Sequence, residues 1–119
     1  MGKINLKAKL ISEEENMRIE VSGIKTNNKI IYKENNITVT ILMFKNKIEM
    51  NRTCNEYKIK LIFEKNKNTI SKYNVFGMPK EFLLETKTNK LEITDTKILI
   101  DYNLEGNEFS YQLIMEGEL

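Results

Sequence analysis

Histidine and tryptophan are absent from this chain, and cysteine and proline occur once each. Each absence narrows the chemistry. Without histidine there is no ordinary general base near neutral pH, and the commonest metal ligand is missing. With Cys54 alone, no internal disulfide can form, which fits a reducing cytoplasmic location. A thiol nucleophile would lack an activating imidazole, and only Arg52, on the same strand face, could favour its thiolate. Five scattered glycines make no phosphate-binding loop, and no EF-hand pattern of alternating oxygen ligands occurs. No cofactor is implied. No apolar run approaches the roughly 20 residues of a membrane helix, and the lysine-dotted N-terminus has no signal-peptide core. A lipid-facing barrel would call for export and aromatic girdles, whereas aromatics total 8% here.

What the chain does have is alternation. Ile4, Leu6, Ala8 and Leu10 interleave with Lys3, Asn5, Lys7 and Lys9, and the same period of two recurs to the C-terminus. That period marks strands with one buried face. Turn signals recur at Asn27-Asn28, Asn35-Asn36, Lys45-Asn46, the KNKN run at 65–68, Asp95-Thr96 and Glu105-Gly106-Asn107. Gly23 suggests a bulge or bend near the end of the second strand. Between Thr88 and Leu91 the apolar phase switches parity, which requires one extra residue, so a bulge is expected at Asn89-Lys90. Residues 79–85 fit either a short helix opened by Pro79 or a strand; the threonines that follow favour the strand.

The expected architecture is therefore all-β: one domain over residues 1–119, with about eight or nine strands paired consecutively and antiparallel. So many strands would leave open edges unless they closed, which favours an up-and-down barrel over a flat sheet. With 119 residues, one core suffices without staples.

The C-terminal half carries a resemblance. Ile70-Ser71-Lys72-Tyr73, Phe76-Gly77, Glu85-Thr86-Lys87-Thr88 and the run Ile98-Leu99-Ile100-Asp101-Tyr102-Asn103-Leu104 resemble the YwiB-like bacterial family. A stretch between Gly77 and Thr86, including Pro79, departs from that family's pattern. The resemblance implies a calycin-like barrel, the architecture of lipocalins and fatty-acid-binding proteins. It brings no established activity and no catalytic residues.

Three surfaces remain as functional candidates. Tyr57, Tyr73, Thr86, Thr88, Tyr102 and Tyr111 share the phase of the apolar strand residues. An apolar barrel interior with a few hydroxyls suits a small amphipathic ligand, although a narrow barrel can equally be filled by its own side chains. Apolar residues on the opposite phase (Ile11, Ile31, Leu42, Phe44, Ile62, Leu83, Leu99 and Ile114) suggest a homodimer or partner face if they cluster. Residues 41–72 carry eight Lys/Arg against three Glu, whereas 81–119 carry three Lys against nine acidic residues. Lysine, asparagine and isoleucine supply 48 of the 119 residues, so this basic bias argues only weakly for nucleic acid. Asp101 and Glu105, and the loop Glu13-Glu14-Glu15, show no spacing of paired catalytic carboxylates. Taken together these features point to a non-catalytic ligand-binding module, with an outer-surface interaction protein as the alternative.

Overall fold

The computed structural model describes residues 2–118, which form a closed antiparallel barrel of ten strands. In chain order these are β1 (Gly2–Ser12), β2 (Asn16–Lys25), β3 (Lys29–Glu34), β4 (Ile37–Phe44), β5 (Lys47–Thr53), β6 (Tyr57–Glu64), β7 (Asn68–Val75), β8 (Glu81–Ile93), β9 (Lys97–Leu104) and β10 (Asn107–Glu118). Each pairs with the next, and β10 returns to β1 to close the cylinder. The count is close to the expected eight or nine; the short run around Ile48 is a full strand with partners on both sides. Residues 81–85 are strand, so the helical alternative for that segment is excluded; Pro79 lies in the preceding turn. Among the described residues no helix is long and apolar enough to cross a membrane.

The turns use residues that tolerate a left-handed backbone. Asn35, Asn46 and Asn66 have positive φ, as do Glu105 and Gly106 in the last hairpin. Asparagine and glycine accept that region at low steric cost, and paired positive φ values suit two-residue hairpins. The β8–β9 register shifts between Thr88 and Lys90, so the parity switch in the sequence is a real bulge at Asn89. Gly23 departs from expectation. The β1–β2 register runs through it without a break. Its need for glycine is steric: a Cβ there would lie 2.5 Å from Leu6 Cδ1 and 2.8 Å from the Ile31 carbonyl oxygen.

The core is the inward phase of nearly every strand. Leu6, Ile30, Val39, Ile41, Ile48, Phe63, Ile98, Ile100 and Leu113 are almost wholly buried, with Tyr32, Tyr102 and Tyr111 among them. Of the outer apolar residues, Ile31 stands opposite Ile24, while several others stand opposite charged side chains. Across the strands Leu42 and Ile62 both lie opposite Glu49, Leu83 opposite Lys72 and Leu99 opposite Glu92.

A seam interrupts the wall between β6 and β7. Their pairing covers only Tyr57–Lys60 against Lys72–Val75. Beyond it, side chains take over the bonding. The Ile62 amide donates to Ser71 Oγ (3.1 Å), and Thr69 Oγ1 donates to the Ile62 carbonyl. Ser71 Oγ in turn lies 2.7 Å from Thr86 Oγ1 on β8. Ser71 and Thr86 are fully buried, as such bridging hydroxyls must be to substitute for a backbone ladder.

Candidate binding site at one end of the barrel

In an antiparallel meander, hairpin turns alternate between the two ends. The turns β1–β2, β3–β4, β5–β6, β7–β8 and β9–β10 therefore share one end, opposite to the N- and C-terminal ends of the chain. At the end that carries these five turns the packed core gives way to a cavity of about 200 Å³. Its walls are apolar side chains, Leu10, Met50, Ile59, Leu61, Leu104 and Phe109, interrupted by Tyr57, Tyr73, Tyr102, Tyr111 and Arg52.

Four of the six sequence-predicted candidates meet here. Tyr102 and Tyr111 form the buried floor, while Tyr57 and Tyr73 are half-buried at the rim in edge-to-face contact, with ring centroids 5.9 Å apart. Tyr102 is wedged between Phe63 (4.6 Å) and a stacked Phe109 (5.3 Å), which sets its ring orientation. The two threonines lie elsewhere. Thr86 belongs to the β6–β7 seam, and Thr88 is buried with an Oγ1 that has no hydrogen-bond partner among the described residues.

Alternation alone missed Tyr32, Glu34 and Arg52. The Tyr32 hydroxyl lies 2.7 Å from that of Tyr111. Arg52 Nη2 donates to Glu34 Oε2 at 2.5 Å, and Glu34 is only 6% exposed. Both charges sit on the inward phase of their strands, where the pattern Ile48-x-Met50-x-Arg52 would have revealed a buried cation had Arg52 been read as inward. Burial disfavours the Arg52 guanidinium, yet the hydrogen bond and charge of Glu34 outweigh it and raise the pKa, so the residue is firmly cationic. Desolvation pushes the hydroxyls of Tyr32 and Tyr102 up to about 12 and that of Tyr111 well above its ordinary value. At neutral pH the floor of the cavity therefore presents the neutral phenols of Tyr102 and Tyr111, beside one guanidinium paired with Glu34 and a wall of hydrocarbon.

Other chemistry does not converge on this place. Asp101 Oδ1 accepts from Ser110 Oγ and Glu105 Oε2 accepts from the Glu85 amide, so these carboxylates serve neighbouring strands. Arg52 is engaged by Glu34, which leaves Cys54 as a partly buried free thiol in the β5–β6 turn. No three His, Cys, Asp or Glu side chains come together as a metal site among the described residues. On the outer wall Lys60 stands opposite Lys72, but Lys47 and Lys60 share Glu49, which dilutes the basic segment.

The family match, to a domain of unknown function (DUF1934), spans residues 3–117. The chain belongs to the DUF1934 family. The crystal structure of ywiB protein from Bacillus subtilis superposes with a TM-score of 0.66 at 17% identity, covering 98% of this chain and 91% of that one. At that identity the likeness establishes the shared barrel alone, and it supports the YwiB-like resemblance seen in the sequence. No curated protein matches the chain. For this DUF1934 barrel the function must come from its own side chains.

Proposed function

We propose that this protein is a non-catalytic, cytoplasmic binding module that takes a small amphipathic molecule into the tyrosine-ringed end of its barrel. The observation that carries the reading is Arg52: a held cation in the wall of an apolar cavity whose other polar groups are phenols. Polar groups inside apolar walls fix a ligand's orientation while the walls supply affinity. A volume of about 200 Å³ limits the ligand. An apolar void of about 150 Å³ accepts a benzene ring, so this one suits a single ring or a short chain, not a long acyl tail. Arg52 keeps donors beyond the one used by Glu34, because a guanidinium has five N–H groups. The preferred ligand therefore bears an acceptor, such as a carbonyl or carboxylate, on the side that meets Arg52.

Native mass spectrometry on protein from its own host tests this directly. A stoichiometric extra mass, lost on unfolding, is the expected result. In parallel, benzoate added to the apo protein should perturb the NMR signals of Tyr102, Tyr111 and Arg52, and Ile59→Phe should abolish both effects by filling the cavity. An apo mass from the host, together with benzoate shifts that scatter over the surface, would sink the reading.

A further inference from the structure

Although the barrel closes, one strand edge remains open. β2 meets β3 only through Gly23, Ile24 and Lys25, paired with Tyr32, Ile31 and Ile30. Residues 16–21 are paired to β1 on one side; on the other the β3 ladder stops at Gly23, and residues 16–20 extend past the end of β3. The hydrogen-bond phase of this segment follows from the flanking turns. The Ser12 amide donates to the Glu15 carbonyl, and the Thr26 amide to the Lys29 carbonyl. Stepping by two along antiparallel ladders, Met17, Ile19 and Val21 exchange bonds with β1, while Arg18 and Glu20 aim their N–H and C=O groups at the open side. An exposed row of this kind is a template for strand addition.

The side chains indicate which strand fits. Reading Asn16-Met17-Arg18-Ile19-Glu20-Val21-Ser22 about Ile19, the pattern is its own complement. In an antiparallel pairing of two copies centred on Ile19, Arg18 of each faces Glu20 of the other in a bonded pair. Met17 faces Val21 and Ile19 faces Ile19 on the opposite side of the sheet. Arg18 and Glu20 are both exposed in the single chain, and Glu20 has only a 3.9 Å contact with Lys7. A twofold axis through Ile19 thus satisfies both charge pairs and the free backbone groups at once, the isologous geometry of a closed dimer. We propose that the protein forms a homodimer through the β2 edge, joining two barrels by a continuous sheet.

The test is sedimentation velocity over a concentration series on the full chain. Wild type should dimerise. Glu20→Arg places like charges opposite each other at two symmetric positions and should raise the dimer Kd by at least about tenfold. The double variant Arg18→Glu/Glu20→Arg should restore it to within about threefold, since both charge pairs are re-formed with reversed sign. Arg18→Pro removes an amide that β1 does not use, so it should give a monomer with unchanged circular dichroism. A wild type that stays monomeric to millimolar concentration overturns the proposal. So does a dimer indifferent to Glu20→Arg and Arg18→Pro, or a double variant that fails to recover. Ligand binding in the barrel is untouched by these substitutions, so the two readings fail separately.

Discussion

Three of the five tyrosines, Tyr32, Tyr102 and Tyr111, hold their hydroxyls inside the barrel, and this gives the protein an alkaline liability. Their folded pKa values are raised, to about 12 for Tyr32 and Tyr102, above the ordinary 10.0. The stabilising effect is full below pH 10 and is lost as pH rises through the folded values, because the unfolded chain releases these protons first. Each two-unit shift amounts to about 2–3 kcal/mol. Urea titrations should show constant stability from pH 7 to about 9.5, then a steep fall towards pH 12. Tyr102→Phe should flatten that fall. The Arg52–Glu34 pair makes a second residue-scale prediction. Arg52→Met strands a carboxylate that is only 6% exposed and should cost about 3–5 kcal/mol, whereas adding Glu34→Leu should recover most of it. Equal loss in the single and double variants would mean that the pair is held by something other than mutual neutralisation.

At the scale of elements, the strands are ordinary and the irregularities are informative. The Asn89 bulge was readable because a side-chain period of two permits no change of parity without an extra residue. Gly23 was singled out correctly as special but for the wrong cause, since a sequence cannot show that Leu6 and the Ile31 carbonyl approach one backbone position from two other strands. The β6–β7 seam was not legible at all. Its signal was Thr86, an inward hydroxyl that reads equally as a ligand contact, and Ser71, which alternation places among apolar neighbours. Ser71→Ala leaves the Ile62 amide and Thr86 Oγ1 without their bridging partner and should cost about 1–3 kcal/mol. Amide exchange at Ile62 should accelerate far more than at Ile48 or Ile98, which face unbroken ladders. Uniform acceleration would show that the seam is no weaker than the rest of the wall.

For the whole molecule, closure depends on β1 meeting β10, with Leu6 opposite Met115 and Ala8 opposite Leu113 across almost the full chain. Loop-closure entropy must be spent before that contact returns anything, so folding should fall in the millisecond-to-second range of non-local β topologies. Stopped-flow refolding checks this. Leu113→Ala should slow folding strongly and speed unfolding only a little if closure belongs to the transition state, and should mainly speed unfolding if it does not.

The all-β class, the alternating faces, most turn positions, the bulge at Asn89 and the absence of histidine chemistry can be read from the residues alone, because each is a local property of residue type and period. Which hydroxyls share a space is set by the three-dimensional arrangement of the strands. Tyr57, Tyr73, Tyr102 and Tyr111 meet at one barrel end because strand direction and stagger bring distant inward positions to the same level. Thr86 and Thr88, on the same phase, were placed elsewhere by that same stagger. The Arg52–Glu34 pair and the free edge of β2 likewise depend on which strands lie beside one another, and at what offset, a relation that no stretch of sequence contains.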